Sequence, residues 1–226
     1  NFGVKTRAAI AVAVLAGYGA LSALVAAPDA AGAGPLTFEG NLAGYIDRQF
    51  LPGKLIYGSF DPEGLLSTVP AVVTAMLGMF TGEFVRRGDI RGGRKTLWMA
   101  AAAAALLAAG LAFSGVLPVN KKLWSSTFVC VVGAYSLGMF ALFYYLIDVR
   151  GWRRWTLFFR VVGLNSITIY LAQRIVGFGR ISDFFLGGIA SKCPEAVAAV
   201  ISSAGYVAVC WLFLYFLYRK NVFLKV

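Results

Sequence analysis

Runs of apolar residues long enough to cross a bilayer dominate this chain. Six of them, 8–27, 65–85, 96–117, 126–147, 155–177 and 196–217, each hold about 20 residues with few charges, the length that the hydrocarbon core demands of a helix. Backbone groups inside lipid must be satisfied within their own segment, so such runs predict helices. The expected fold is an all-α integral membrane bundle of about six transmembrane helices, a single helical domain over 1–226. The stretch 28–63 is the one long polar interruption. After a start rich in Ala, Gly and Pro, Leu42, Tyr45, Ile46, Gln49 and Phe50 recur at helical spacing, which predicts a short helix lying on or dipping into the membrane interface.

Charge orients the bundle. Lys5, Arg7, Arg86, Arg87, Arg91, Arg94, Lys95, Arg150, Arg153, Arg154, Arg219, Lys220 and Lys225 fall on one side of the six runs; Arg48, Lys54, Lys121, Lys122, Arg180 and Lys192 fall on the other. By the positive-inside rule both termini are cytoplasmic and the 28–63 loop is on the outer face, as in a multi-pass protein of a bacterial cytoplasmic membrane. The formal charge of +11 is then explained by topology and anionic lipid, and no nucleic-acid partner is expected. Trp98, Trp124, Trp152 and Trp155 sit at span ends, where amphipathic rings settle at headgroup level.

Composition narrows the chemistry. With 59% hydrophobic and only 14% charged residues, the chain is unlike soluble domains, in which about a quarter of residues are charged. It contains no histidine, so the commonest general base and metal ligand is absent. Cys130, Cys193 and Cys210 have no CxxC spacing and form neither a metal motif nor a disulfide framework.

A few polar positions resist a purely apolar reading. Asn165 lies near the middle of the fifth run and cannot reach either interface, so it serves interhelical hydrogen bonding or a polar cavity. Arg160 and Arg174 lie nearer the ends of that run and can extend to the headgroups. Asp61-Pro62-Glu63 precedes the second run, with Asp61 placed to cap the helix and Glu63 left facing the outer side. Pro70, Thr74, Gly78 and Gly82 form a small-residue stripe suited to close helix contact.

Several strings, taken together and in order, resemble the C-terminal half of the heparan-alpha-glucosaminide N-acetyltransferase family, bacterial relatives included. They are Ala43-Gly44-Tyr45-Ile46-Asp47-Arg48, Asp61-Pro62-Glu63-Gly64-Leu65-Leu66-Ser67-Thr68, Leu117-Pro118-Val119-Asn120-Lys121-Lys122-Leu123-Trp124, Asp148-Val149-Arg150-Gly151 and Gly163-Leu164-Asn165-Ser166-Ile167. The resemblance implies a membrane-bound acyltransferase that moves an acyl group from cytoplasmic acetyl-CoA or another acyl-CoA to a glycan or amino sugar on the outer face. It implies no covalently bound cofactor. Asp47, Arg48, Asp61, Glu63, Asn120, Lys121 and Asn165 become the candidate substrate-binding residues, and the catalytic residue is not among them, because the histidine that the family uses belongs to an N-terminal part with no counterpart here. The chain, which starts at Asn1, is thus expected to be a C-terminal portion, inactive alone. The competing expectation is a non-catalytic transmembrane subunit of a larger complex, with the bilayer, other membrane subunits or a homodimer as partners.

Overall fold

The computed structural model describes residues 2–224, and among these it contains nine α-helices, one π-helical turn and no strand beyond an isolated bridge between Ala26 and Asn41. Its packing divides the chain into two compact units, 1–151 and 152–226. Five helices are long and apolar enough to cross a membrane: Val4–Leu24, Thr68–Arg86, Gly92–Ala112, Ser126–Val149 with its π-helical end, and Glu195–Arg219. The chain is thus a helical multi-pass membrane protein.

In the first unit, α1 (Val4–Leu24), α3 (Thr68–Arg86), α4 (Gly92–Ala112) and α5 (Ser126–Tyr144) alternate in direction. The short helix α2 (Leu42–Phe50) lies within the long loop where its spacing predicts it, and Asn41 caps it by accepting the Gly44 N–H at 2.6 Å. Helix α5 packs against α1, α3 and α4, and its Val129, wholly enclosed, meets Ala11 of α1 and Val73 of α3 in the core. Backbones approach closely at two glycines: a Cβ on Gly110 would lie 2.8 Å from Val131 Cγ2, and one on Gly133 would lie 2.7 Å from Leu77 Cδ1. Small residues let helices meet without a hydrophobic driving force in lipid. Polar ties join the same helices: Tyr18 Oη donates to the Leu123 carbonyl at 2.5 Å, and Ser126 Oγ donates to the Leu15 carbonyl at 2.7 Å. At the opposite end Arg7 forms a two-pronged ion pair with Glu83, at 2.7 and 2.8 Å.

Of the stripe Pro70, Thr74, Gly78 and Gly82, Pro70 is buried and Thr74 meets the Trp124 indole, but the two glycines do not make the helix contact expected of them. A Cβ on Gly78 or Gly82 would meet nothing within 4 Å, and both residues line an apolar groove of about 820 Å³ between α3, α4 and α5, with Trp98, Ser136 and Phe140.

The second helix also starts differently. Asp61 does not cap it, because residues 61–64 close their own turn: the Asp61 carboxylate accepts the Glu63 N–H at 2.9 Å and the Ile56 N–H at 3.3 Å. Helix α3 begins later, at Thr68, where Ser67 and Thr68 donate their hydroxyls to the Gly64 carbonyl at 3.0 and 2.8 Å.

The second unit contains α6 (Thr156–Leu164), α7 (Ser166–Ile175), α8 (Phe178–Ala190) and α9 (Glu195–Arg219). The predicted continuous span 155–177 is therefore corrected to two short helices broken at Asn165, whose φ of −131° and ψ of 31° leave the helical basin. At the break the Asn165 side chain turns to the segment after α9, bonding the Val222 carbonyl and the Leu224 N–H. Helix α8 packs along α9, where the buried Ser182 and Leu186 press on Gly205, a position with no room for a Cβ.

Candidate functional site

Six of the seven candidate residues lie on 28–63 and 117–125 in the first unit, and four of them, Asp47, Arg48, Asp61 and Asn120, have side-chain partners there that define one loop cluster. Asp47 is its centre. The side chain is 0% exposed, and its Oδ1 accepts the Leu65 N–H at 3.0 Å while Oδ2 accepts the Asp61 N–H at 3.2 Å. Gly64 lies flush against this carboxylate, so that any Cβ there would overlap both oxygens. Burial pushes the Asp47 pKa up from the ordinary carboxylate value, against the pull of the two amides.

Its neighbour Arg48 ties three points of the loop together. Nε and Nη2 grip the Asp29 carboxylate at 2.8 and 2.7 Å, and Nη1 donates to the Ser59 carbonyl. The bidentate fork holds the Asp29 pKa below the usual carboxylate range and raises that of Arg48. Both members of the adjacent Asp47–Arg48 pair are therefore engaged with protein groups.

The turn 117–125 is organised by Asn120. Its Oδ1 accepts the Lys122 N–H at 2.9 Å and the Leu123 N–H at 3.4 Å, and its own N–H donates to Ser125 Oγ, the residue that caps α5. Trp124, which ends the turn, adopts φ +48°, an uncommon conformation for a bulky residue, and its indole packs on the core beside Val73 and Val129. The indole N–H points to Thr74 Oγ1 at 3.4 Å.

Two candidates are bare. Glu63 and Lys121 are exposed and make no side-chain hydrogen bond or ion pair among the described residues. The residue that connects the two loops is Lys122, which sequence reasoning did not single out. Its ammonium lies 4.4 Å from the centre of the Tyr57 ring and 5.1 Å from that of Phe38, and both rings stack on Phe60. Only an alternation of aromatic residues across 38–60 hints at this platform, and nothing local ties it to Lys122. Asn41, 3% exposed, was likewise missed; its amide donates to the Thr37 and Phe38 carbonyls and braces the strap that carries Phe38.

Asn165 belongs to the second unit. It is 1% exposed; Nδ2 donates to the Val222 carbonyl at 3.2 Å, and Oδ1 accepts from Thr168 Oγ1 at 3.1 Å and from the Leu224 N–H at 3.4 Å. This amide finds protein partners as expected, but they follow the end of α9, which corrects the expected place of Asn165 in the middle of a span to the end of one. Its role within the unit is to pin the chain that follows α9 to the break between α6 and α7.

Among the described residues the cluster leaves Glu63 and Lys121 exposed and without side-chain partners, as are Glu39 and Lys54 elsewhere in the long loop, on a scaffold held by the paired Asp47, Arg48 and Asn120. Such an arrangement can bind a polar solute by hydrogen bonds and present an aromatic face to a sugar ring. It holds no poised acid and base pair.

No family model matches the chain. Among curated proteins, the heparan-alpha-glucosaminide N-acetyltransferase of Homo sapiens is 29% identical over 208 residues, covering 83% of this chain. That of Mus musculus is 27% identical over 205 residues, again covering 83% of the chain. The chain spans 30% of the length of each of these relatives. The likeness supports a family relationship between this chain and that acetyltransferase.

Proposed function

We propose, from that relationship, that this chain is the C-terminal portion of a membrane-bound acyltransferase that takes an acyl group from acyl-CoA on the cytoplasmic side and delivers it to a glycan or amino sugar on the outer face. The observation that carries the reading is the likeness to an acetyltransferase along 83% of the chain. Both termini are cytoplasmic in this reading, which takes the segment from α6 to α8 as one further crossing beside the five long helices, and the cluster built on 28–63 and 117–125 faces outward as the rim of an acceptor site.

The chemistry divides accordingly. In acyl transfer to an amine, the C–S bond of the thioester breaks, a C–N bond forms, and the proton lost by the amine reaches the departing thiolate. A matched base contributes a factor of about 10² to 10⁴. The 226 residues contain no histidine, Asp47 is enclosed, Asp61 is held by two amides, and the exposed Glu63 has no side-chain partner to orient it, so in this reading the base is supplied from outside these residues. What this chain contributes is the rim. Glu63 and Lys121 offer hydrogen-bonding groups for the acceptor, and Asp47, Arg48 and Asn120 act as positioning residues that fix the loops carrying them.

Membranes containing this chain alone, and membranes containing the polypeptide of its complete reading frame, are to be incubated with radiolabelled acetyl-CoA and a glucosamine-terminated acceptor. The complete polypeptide is expected to turn over and the 226-residue chain is not. Turnover by the chain alone, abolished by Glu63→Gln, would place the base here and overturn the division. The uncovered Gly78 and Gly82 face favours a second reading, in which the chain is a non-catalytic subunit that docks another helix; transfer by neither sample would favour it.

A further inference from the structure

The end of α9 carries a recess that the acyl-transfer reading leaves unexplained. Arg160 and Gly163 of α6, Tyr218 and Arg219 of α9, and Asn221 and Phe223 of the following segment line a cavity of about 640 Å³. The Arg160 guanidinium lies 5.7 Å from the centre of the Tyr218 ring, and Arg219 Nη1 reaches Tyr215 Oη at 3.4 Å. Tyr215 and Tyr218 stack on each other, with ring centres 6.4 Å apart, so the two guanidiniums flank one aromatic row.

Among the described residues neither arginine forms an ion pair, in contrast to Arg7, Arg48 and Arg87. The only acids of the second unit are Asp183, in α8, and Glu195, which starts α9 about 36 Å away at 1.5 Å per residue. The cavity is thus cationic on two sides and lacks an internal anion. Its third wall is built rather than loose: Asn221 takes a left-handed conformation with φ +54°, and the buried Asn165 amide holds Val222 and Leu224 in place. A helix of 25 residues spans the bilayer, which puts its Arg219 end at the level where phosphates are found.

We propose that this recess binds a phosphate ester, gripped between the forks of Arg160 and Arg219 and floored by Tyr218. Guanidinium forks match phosphate oxygens in pairs, and a cation already seated on an aromatic face keeps its free edge for the ligand. Asn165 is a positioning residue for the site. The chemistry is shared by two sources, the headgroup of an anionic phospholipid and a soluble phosphate such as that of coenzyme A. The site stands without the acyl-transfer reading, since a binding assay needs no turnover.

The test uses the full chain in phosphatidylcholine nanodiscs with and without phosphatidic acid, the bound lipid being counted by native mass spectrometry, and, in a parallel arm, radiolabelled coenzyme A in detergent. Each charged hydrogen-bond partner removed is expected to weaken binding about tenfold, so Arg160→Gln with Arg219→Gln should lose about a hundredfold. The charge-matched pair Arg154→Gln with Lys220→Gln, which does not line the recess, should change binding less than about threefold. Asn165→Ala should weaken binding with both arginines present, and Arg160→Lys with Arg219→Lys, which keeps charge but not the fork, should fall between. Retention of phosphatidic acid alone identifies a lipid site, and retention of coenzyme A identifies a soluble-ligand site; either supports the proposal. Equal losses in the two charge-matched pairs would reveal diffuse attraction to anions and overturn it, as would the absence of binding in both arms.

Discussion

Removing the Asp47 carboxylate is the sharpest test of how the loop cluster is held. The carboxylate is 0% exposed and is the acceptor for two backbone amides, at 3.0 Å from Leu65 N and 3.2 Å from Asp61 N. Asp47→Ala leaves both donors without a partner. A buried donor so abandoned costs about 1–3 kcal/mol, and two together about 2–4 kcal/mol once partial opening lets water reach them. The loss is local, because residues 61–65 belong to a loop that can open without the bundle unfolding. At 1.4 kcal/mol per factor of ten, exchange of the amide protons in this segment should accelerate by about 30- to 1000-fold. Asp47→Asn keeps one acceptor oxygen and turns a donor toward the second amide, so it should show about half the effect in free energy. Hydrogen exchange read by mass spectrometry on peptides across 56–66, in detergent or nanodiscs, measures both. Unchanged protection in Asp47→Ala, or equal acceleration across α5, would refute the local tie. The pH dependence has a defined sign. Burial raises the folded pKa above 3.8, so the stability contributed by this group is full below 3.8 and falls as pH rises through the folded value. The advantage of wild type over Asp47→Asn should therefore shrink across that window as pH increases.

Gly64→Ala places a methyl group on the same carboxylate, and it should open the same peptides; combined with Asp47→Ala its effect should be less than additive, since each releases one contact. Asn165→Ala leaves the Val222 carbonyl and the Leu224 N–H without their partner and should cost about 1–3 kcal/mol, seen as a lower melting temperature and faster proteolysis after Arg219. Unaltered melting would mean that the break at Asn165 is held by packing alone. With both termini cytoplasmic, Cys193, half-buried at the end of the turn after α8, should react with impermeant maleimide added outside intact cells, while the buried Cys210 should not. Labelling of Cys193 only from the cytoplasmic side would invert the topology.

Much of the helical frame was legible because length and apolarity report directly on what lipid requires of a backbone. The run 126–147 becomes a span over Ser126–Val149, and 196–217 becomes Glu195–Arg219. What escaped were effects of single side chains. One Asn barely alters the hydropathy of 155–177, yet the helix breaks at it and its side chain bonds the segment after α9, partners far away along the chain. Helix α8 is crossed by Arg180 and Asp183, so it reads as a polar connection although its spacing is helical. In the cluster, Asp47 and Arg48 were nominated by the family resemblance, but their engagement with protein groups depends on chain folding from 29 to 65, whereas Asn120 organises only its own turn. Lys122 was invisible because its aromatic partners lie more than sixty residues away along the chain.

The placement of α5 has a consequence for biogenesis. Helices enter the membrane in the order of synthesis, and a buried cluster of the first unit joins Ala11, Val73 and Val129, one residue from each of α1, α3 and α5. Until α5 arrives, Ser126 cannot reach the Leu15 carbonyl, and the turn that supplies Leu123 to Tyr18 is not anchored. Helices α1 and α3 can already pair through Arg7 and Glu83, but the Tyr18 hydroxyl stays unmatched and the core open until this one segment arrives and locks the earlier helices together.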